Sequence, residues 1–584
     1  MLFNPHEIPF QVYECLATSE LIKTDAFSEH DVATFNDVMR TAETIAIEYF
    51  APHNHLADAN EPTFDGQRIY MLEDVQTAYQ HYADAGFIAA KFPFDLGGMQ
   101  LPETITTACA GYFMAANPST TAYPFLTSAA ANVIAHCASD ALQSEFLEPM
   151  LTGQFSGTMA LTEPHAGSSL AEITTSAQPA KDGSYRIKGS KLYISGGEHE
   201  LTKNIVHLVL AKIPGGPAGV KGISLFIVPK YRQDEQGAWS VRNDVTLAGL
   251  IHKLGYRGTT STALTFGEND DCHGYLVGEP HQGLRYMFMM MNEARIGVGF
   301  GAAMIGYQGY RYALDYAKDR MQGGRAIVEY GDVKRMLLAQ KAYTEGAMAL
   351  CFYGASLLDE QKTSTAEKAK DVALLLDLLT PIIKAWPSKY GPKANDLAIQ
   401  VLGGAGYTRE YPVEQYWRDN RLNPIHEGTN GIQALDLLGR KLWQANGAGC
   451  ELLAQRIIQD IHNAHGDVSL KLAKKLGDAL TQFNDGLPVL AQMLQSEDQN
   501  AVLSNADNMM KYCGHLVIGW MWLRQANVAY AARDNAQGDK YDFYQGKIQA
   551  AQYYADWEMP AMHQAWALLV EANATCADTQ VSWF

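Results

Sequence analysis

The sequence has few cysteines, and none of them stand at the spacing of a paired site. Its 584 residues include eight cysteines, which lie far apart and form no CxxC pair. A zinc ribbon or a dithiol redox site depends on such pairs, so neither is expected. Buried, reduced thiols in a cytoplasmic protein are the expectation instead.

Basic charge is also scarce. Lys and Arg total 45 against 64 Asp and Glu, which gives a formal net charge of −19. A broad basic surface for DNA or RNA is not expected from this balance, whereas a small polyanionic ligand needs only a few local cations. Hydrophobic residues make up 47% of the chain, so a large core is available and whole-chain disorder is not expected.

Long apolar runs and a leader pattern are missing as well. The first residues, MLFNPHEIPFQ, contain no basic stretch followed by an apolar one, and no run of about 18 uncharged apolar residues occurs anywhere. The sequence therefore predicts no secretory signal, no membrane span and a cytoplasmic location. The Met-rich stretch 287–291 is expected to line the core or a pocket.

The apolar spacing predicts an α+β protein that is mainly α, with helices first, then strands, then helices again. We expect four domains: a helical domain over 1–155, an antiparallel β domain over 156–283, and helical domains over 284–445 and 446–584. The strands favour a sandwich or barrel and are predicted at 185–195, 205–213, 223–229, 239–247 and 259–266. Helices in the third domain are predicted at 284–320, 333–360, 364–386, 392–403 and 430–444.

Two weaker patterns have structural interpretations. Gly297, Gly299 and Ala302 form a G-x-G-x-x-A pattern, but the residues before it are helical, whereas a dinucleotide fingerprint follows a strand. A close helix–helix contact is the better interpretation. His462 and His465 stand at i and i+3 without a third ligand, so we predict a helix end in solvent and no metal site.

Two segments have more chemical content. MALTEPHAGSSL (159–170) begins as a strand and continues with turn residues, hydroxyls and a carboxylate, so its backbone N–H groups can meet a polar ring or phosphate. In NPIHEGTNGIQALDLLGRKL (423–442), Thr429 or Asn430 can cap a helix, and Glu427 lies just outside its N-terminus. Glu427 is then either a surface acid favoured by the helix dipole or a general base on a rigid loop. The residues alone favour the surface acid.

Together these segments resemble the acyl-CoA dehydrogenase family. MALTEPHAGSS (159–169) is similar to its flavin loop, and KLYISGGEHE (191–200) is similar to its second flavin strand. QVLGGAGYTREYPVEQYWRD (400–419) and IHEGTN (425–430) resemble its catalytic segment. The resemblance covers about residues 30–445 in the right order, and the residues beyond 445 resemble the added helical domain of large bacterial members.

The resemblance implies a helical domain, a β domain and a four-helix bundle, followed here by the additional helical domain. It also implies FAD as cofactor, bound between the β domain and the second helical domain and across a dimer interface. The implied substrate is an acyl-CoA, and the implied electron acceptor is an electron-transfer flavoprotein. A homodimer or a dimer of dimers is expected.

The family's site residues carry over by position. Thr162 would meet the flavin pyrimidine edge, Tyr193 would stack on the flavin in place of a common Trp, and Ser195 would replace a common Thr near flavin N5. Arg320 would reach the FAD phosphates, while Gly403 and Gly404 would approach the FAD of the partner subunit. The full FAD set is Met159, Leu161, Thr162, Ser168, Tyr193, Ile194, Ser195, Arg320, Gly403, Gly404, Thr429 and Asn430. The substrate set is Ser168 and Arg295 at the CoA end and Gly428 beside the thioester.

In this family Glu427 would be the base that removes the α-proton, while the β-hydrogen leaves as hydride to flavin N5. Burial would raise its pKa toward the range of a working base. Some members place the base just before the residue matching Arg295, but that position is Ala294 here, and Glu293 is one residue away on another helix face. The chain departs from the family pattern at His165, Ser169 and 321–327.

Two other functions are alternatives to an acyl-CoA dehydrogenase. An acyl-CoA oxidase shares the base but passes electrons to oxygen. A DNA-binding alkylation-response flavoprotein also has an extra C-terminal domain, which should be basic. Residues 441–584 hold 10 Lys or Arg and 15 Asp or Glu, a net charge of −5, so binding to the phosphate backbone is not expected.

Overall fold

The computed structural model describes residues 2–496 and 499–584, without the side chains of 289–292, so most of the Met-rich stretch lies outside the described residues. The chain divides into two compact units. We call Asp37–Pro102 and Tyr112–Ala294 the β unit, and we call Met1–Asn36, Glu103–Gly111 and Arg295–Phe584 the helical unit. The four-domain division of the sequence stays a prediction.

The strands of the chain lie mainly in the β unit. They are β1 Thr63–Phe64, β2 Ile69–Tyr70, β3 Phe155–Ala160, β4 Ser176–Pro179, β5 Tyr185–Ser195, β6 Asn204–Lys212, β7 Ile223–Pro229, β8 Tyr231–Gln233, β9 Trp239–Arg242, β10 Val245–Leu250, β11 Ser261–Phe266, β12 His273–Leu276, β13 Met321–Gln322 and β14 Arg325–Ala326. An eight-stranded sheet has the order β10-β11-β5-β12-β7-β6-β3, with β4 beside β5 and β6. Its pairs are antiparallel except that β6 pairs with β3 and β4 in parallel.

Apolar packing covers both faces of the central strands. Every residue of β7, and every residue of β6 except the last, is buried, which is why both read as continuous apolar runs instead of alternating ones. One face packs on a cluster that includes Ile134, Phe146 and Met150. The other face has its own cluster, which includes Phe226 and Leu264. The sheet is therefore a rigid layer from which loops project.

Most of the predicted strands are confirmed. The strands over 185–195 and 223–229 have the expected bounds, and the one over 205–213 begins and ends one residue earlier. The run 239–247 is split into β9 and β10 around Asn243. The buried Asn243 amide donates to the carbonyls of Pro229 and His273, both at 2.9 Å, so its side chain ties the break between β9 and β10 to the ends of β7 and β12.

The helices follow the predicted order. Up to residue 151 they are α1 Glu7–Pro9, α2 Val32–Ile45, α3 Asn54–Ala59, α4 Glu73–Asp84, α5 Glu103–Ala116, α6 Pro118–Cys137 and α7 Asp140–Leu151. After the sheet they are α8 Gly283–Asp319, α9 Gly331–Thr363, α10 Ala366–Leu402, α11 Val413–Asn420, α12 Asn430–Gly439, α13 Ala448–His462, α14 Asp467–Leu494, α15 Gln499–Leu503, α16 Ala506–Arg533, α17 Asp539–Tyr553, α18 Ala561–Val570 and α19 Thr575–Asp578. The helix predicted over 430–444 ends at Gly439, because Arg440 leaves helical geometry with φ −137°.

The two helices predicted over 364–386 and 392–403 are one continuous helix, α10, and that prediction was wrong. The sequence interpretation stopped at prolines, since proline lacks the N–H that bonds the carbonyl four residues earlier. Pro387 leaves the Ile383 carbonyl without that bond, and Gly299 of α8 packs directly on it. A Cβ added to Gly299 would lie 2.1 Å from the Ile383 oxygen. The interpretation of the glycine pattern as a close helix contact is thereby confirmed.

Within residues 2–496 and 499–584, no helix is both long enough and apolar enough to cross a membrane. The cysteines carry free thiols, and those at 109, 272, 351, 450 and 513 are buried.

Candidate active site

Glu427 lies on a short loop between α11 and α12, in the helical unit. Both Glu427 (φ 52°) and Gly428 (φ 80°) have left-handed backbone geometry, which a residue with a side chain adopts at a cost. A Cβ at position 428 would lie 2.6 Å from Nε2 of Gln433, so a side chain there would be strained in its backbone and would displace the Gln433 amide. Thr429 then caps α12, as its hydroxyl accepts from the Ile432 N–H at 3.2 Å. The N-terminus of α12 therefore fixes the end of this loop.

A series of polar side chains holds this loop to the helices beneath it. His426 Nε2 lies 3.1 Å from Asn423 Oδ1, the Asn423 amide donates to Asn420 Oδ1 at 2.9 Å, and the Asn420 amide donates to Asn395 Oδ1 of α10 at 2.8 Å. Asn420 also donates to the Ala302 carbonyl of α8 at 2.9 Å. The three asparagines are buried, so these bonds are costly to break. They fix the loop on two long helices.

Glu427 stands among charged groups that act on its acidity. Burial raises the pKa of the Glu427 carboxyl, while the Arg295 guanidinium and the Lys384 ammonium act to lower it, and the net change is upward. Nη1 of Arg295 lies 3.8 Å from Asp436 Oδ2. Nε of Arg295 is buried and has no hydrogen-bond partner in the described part of the chain. The Glu427 carboxyl therefore holds its proton more tightly than a glutamate in water.

The segment predicted as a flavin loop leaves the end of β3 in the β unit, where Met159 is partly buried. It is held by backbone and side-chain bonds: the Leu192 N–H donates to the Thr162 carbonyl at 2.9 Å, and Lys191 Nζ donates to the Leu161 carbonyl at 3.0 Å. Further along, Ser168 is exposed. Of the two departures, His165 places Nε2 3.3 Å from the Glu172 carbonyl, and Ser169 is exposed. The loop is thus fixed at its start and open at its tip.

Tyr193 is an exposed aromatic residue of β5, whose burial is mixed along its length. Its backbone has φ 61° and its side chain is 62% exposed, whereas the neighbouring Ile194 is buried in the sheet core. Any role of Ile194 in binding is therefore left to its backbone. Ser195 is partly buried, and its carbonyl accepts from the Thr158 hydroxyl at 2.6 Å. An exposed aromatic ring beside the fixed loop gives a flat apolar surface that suits a planar ring system.

Three of the remaining predicted FAD residues of the helical unit, Arg320, Gly403 and Gly404, are exposed, whereas Asn430 is partly buried and its side chain is bonded to α10. Arg320 is exposed just after α8, and the departing segment 321–327 forms the small hairpin of β13 and β14. Gly403, with φ 62°, ends α10. A Cβ at Gly403 or Gly404 would meet no heavy atom within 4 Å, so their backbone is open to a ligand or another chain.

Two features of the site were not found from the sequence. Lys384 is a fully buried lysine of α10 whose Nζ donates to the Gly428 carbonyl at 2.7 Å. The sequence feature that could have pointed to Lys384 is a single charged residue within an apolar helical run. Glu293, the neighbour of the alternative base position, forms an ion pair with Lys91 and accepts from the Asn132 amide at 3.2 Å, so its carboxylate is engaged in the β unit. Among the described residues, no group of three or more His, Cys, Asp or Glu is placed to hold a metal ion.

Four family descriptions match the chain in order. Residues 35–154, 158–268 and 281–442 match the N-terminal, middle and C-terminal domains of acyl-CoA dehydrogenase, and residues 453–580 match "Acetyl-CoA dehydrogenase C-terminal like". The chain therefore belongs to the acyl-CoA dehydrogenase family of oxidoreductases, whose cofactor is FAD.

The chain is similar over most of its length to individual members of this family. The chain is 36% identical over 519 residues to 3-methylmercaptopropionyl-CoA dehydrogenase of Ruegeria pomeroyi, covering 87% of each chain. ACDH-11 of Caenorhabditis elegans, solved with C11-CoA, matches 99% of this chain and 95% of its own at a TM-score of 0.79 and 20% identity. An acyl-CoA dehydrogenase of Bacillus anthracis, solved with FAD, matches 93% and 89% at a TM-score of 0.75 and 19% identity. The two structural matches bear on the fold.

Proposed function

We propose that this protein oxidises an acyl-CoA thioester to the trans-2-enoyl-CoA, with Glu427 as the base that takes the α-proton. What carries the proposal is Glu427 itself: a partly buried carboxyl of raised pKa on a strained, firmly held loop. Strain of this kind is retained where surrounding bonds impose it, and it clusters at reactive sites. A surface acid favoured only by the helix dipole would need neither the left-handed backbone nor the buried anchors.

The α-proton of a thioester is weakly acidic, so its removal needs a base held close and stabilisation of the charge that develops on the carbonyl oxygen. In the proposed reaction the Glu427 carboxylate takes the proton, and the Glu427 backbone N–H donates to the thioester oxygen. The rigid loop keeps these two groups of one residue in a fixed relation. Gly428 would leave room for the thioester beside them, and Ser168 and Arg295 would contact the CoA end.

FAD, when bound, would supply the acceptor for the hydride that leaves the β-carbon. The exposed Tyr193 ring and the fixed loop after β3 fit a planar, polar-edged group. The chain residues that would hold FAD are Met159, Leu161, Thr162, Ser168, Tyr193, Ile194, Ser195, Arg320, Thr429 and Asn430. Gly403 and Gly404 would contact the FAD of a partner subunit in a homodimer or dimer of dimers. An electron-transfer flavoprotein is the proposed acceptor of the electrons.

The test is flavin bleaching by substrate. The purified protein should show the yellow FAD spectrum and lose it under anaerobic conditions on addition of an acyl-CoA, and a series of acyl lengths identifies the preferred chain. E427Q should keep FAD and lose bleaching by at least about 10³-fold, because the amide cannot take the proton. E451Q alters an exposed glutamate of α13 and should bleach like the wild type. Bleaching by E427Q at the wild-type rate would overturn the proposal.

The electron acceptor is read from the same preparation. A dehydrogenase is expected to turn over with an artificial electron acceptor and to form no peroxide in air. Stoichiometric peroxide from oxygen would instead assign the oxidase reaction to the same base.

A further inference from the structure

We propose that Lys384 is a positioning residue for this reaction: it clamps the carbonyl of Gly428 and holds a positive charge that acts on the Glu427 carboxylate. The inference rests on the proposed function, in which Glu427 is the base. It concerns a residue of α10 that lies 43 positions before Glu427 in the sequence.

The clamp is a two-way connection between α10 and the loop. Lys384 Nζ donates to the Gly428 carbonyl at 2.7 Å and to Asn430 Oδ1 at 3.2 Å. In return the Asn430 amide donates to the carbonyl of Ala385, the next residue of α10, at 3.3 Å. Hydrogen bonds from an ammonium group are roughly twice as strong as neutral ones. The loop carbonyl is therefore held from below by a charged donor on a long, buried helix.

The backbone at this point needs such a clamp. Glu427 and Gly428 both have left-handed geometry, and a side-chain residue in that region relaxes unless other bonds impose it. Gln433 of α12 supplies a second holding bond, from Nε2 to the Glu427 carbonyl at 3.1 Å. Lys384 and Gln433 thus hold consecutive carbonyls from two different helices. Together they set the direction in which the Glu427 side chain leaves the backbone.

The charge of Lys384 acts on the base as well. The charged groups that face Lys384 are Glu427 on the loop and Arg295 on α8. His426 of the same loop stays neutral, because burial and the Lys384 charge lower its pKa to about 3. Burial lowers the pKa of Lys384 itself to about 7, with Glu427 acting to raise it and Arg295 to lower it further. Glu427 and Lys384 therefore form a coupled pair, in which each charged form favours the other.

The first test is the pH profile of substrate-dependent flavin reduction in the holoenzyme. A nearby cation favours the carboxylate, so K384M should raise the pKa of Glu427 and move the acidic limb to higher pH. The limiting rate should fall on the order of 10²-fold, because the base is no longer held in place, while KM changes less. K384R, which keeps the charge, should leave the limb nearer its wild-type position. K389M removes an exposed lysine of the same helix and should leave both limb and rate unchanged.

The second test needs no turnover. Holoenzyme with ¹³C at lysine Cε should show a lysine that titrates near neutral pH and is missing in K384M, whereas the buried Lys191, whose pKa burial lowers to about 8, stays in that variant. In E427Q the lysine that is missing in K384M should titrate at a lower pH, because the negative charge that favours its protonated form is gone. FAD absorbance confirms that each variant is loaded.

The outcomes separate this inference from the function on which it rests. If E427Q is inactive but K384M keeps the wild-type limb and rate, the positioning role is wrong and the dehydrogenation stands. A midpoint for this lysine that is the same in E427Q as in the wild type also contradicts the coupling, and K384R, which lacks the labelled lysine as well, supplies the assignment if K384M fails to fold. Bleaching by E427Q at the wild-type rate would show that Glu427 is not the base, and both proposals would then be wrong.

Discussion

Lys191 Nζ lies 3.0 Å from Glu163 Oε1, and both side chains are buried in the β unit. The Glu163 carboxylate also accepts from the backbone N–H and hydroxyl groups of Thr174 and Thr175, at 2.6 to 3.0 Å. A buried carboxylate with this many donors is satisfied. The pair holds the loop after β3, which we propose binds FAD.

We expect Glu163 to make the β unit sensitive to acid. Burial raises the pKa of Glu163, but the Thr175 and Thr174 hydrogen bonds and the Lys191 charge outweigh it and lower the pKa to about 2. A carboxyl with a lowered folded pKa contributes stability above its ordinary pKa of 4.5 and loses it as the pH falls toward 2. The contribution is on the order of 3 kcal/mol.

E163Q should therefore melt at a lower temperature at neutral pH and lose less on acidification than the wild type. The melting temperatures of both proteins are measured between pH 3 and pH 7, with FAD release as the signal of unfolding. E172Q alters an exposed acid nearby and should follow the wild-type curve. An acid curve for E163Q that is parallel to the wild type would contradict the expectation.

The raised pKa of Glu427 has its own consequence for catalysis. Only the carboxylate can take the α-proton, so the rate of flavin reduction at saturating acyl-CoA should rise with pH through the pKa of Glu427. Because that pKa lies above the ordinary 4.5, the midpoint of the rise should also lie above it. Anaerobic stopped-flow measurements give the profile, and FAD content at each pH excludes loss of cofactor. A rise centred at or below 4.5 would mean that the base is not desolvated.

The sequence predicts this site only in part, and the limit is physical. Glu427 and the loop after β3 are predicted only because several short segments together resemble one family, since the residues of the Glu427 segment alone favour a surface acid. Lys384 acts through a contact between α10 and a loop whose Glu427 lies 43 residues further along the chain. A pattern within one short segment cannot report a contact between residues so far apart in sequence. The same holds for Asn243, whose buried amide splits a predicted strand. The continuity of α10 was not predicted because prolines were taken as helix ends from the local sequence. The packing of Gly299 on the Ile383 carbonyl is a contact between two helices, which the local sequence does not show.

Gly299 gives a test of that packing. A Cβ at this position meets the Ile383 carbonyl at 2.1 Å, so G299A should force α8 and α10 apart and cost roughly 1–3 kcal/mol. Gly477 of α14 offers a control of opposite sign, because a Cβ there meets nothing within 4 Å. G477A should stabilise the protein by up to about 1 kcal/mol, since alanine is the better helix former. Melting temperatures of the two variants that shift in the same direction would contradict this reading of the contact.

Lys547 forms a buried charged network in the helical unit. Its Nζ donates to Glu7 Oε1 at 2.6 Å, to Glu345 Oε2 at 2.8 Å and to Gln525 Oε1 at 3.1 Å. Lys547, Glu7 and Glu345 are each at most 1% exposed. The network joins the N-terminal segment to α9, α16 and α17, so the first residues of the chain are held by ionic bonds as well as by apolar packing.

K547M should destabilise the protein by about 3–5 kcal/mol, because it leaves the buried Glu7 carboxyl without its hydrogen-bonded cation, whereas Glu345 keeps the ion pair with Lys341. Removing the Glu7 charge in turn, in K547M/E7Q, should restore part of the loss, since the penalty comes from the uncompensated charge and not from the missing lysine. K540M removes an exposed lysine of the same helix and should change little. Scanning calorimetry ranks the three variants, and limited trypsin digestion at the exposed Lys23 reports whether the N-terminal segment is released. A double variant that is less stable than K547M would mean that Glu7 stabilises the segment by its own hydrogen bonds and not through Lys547.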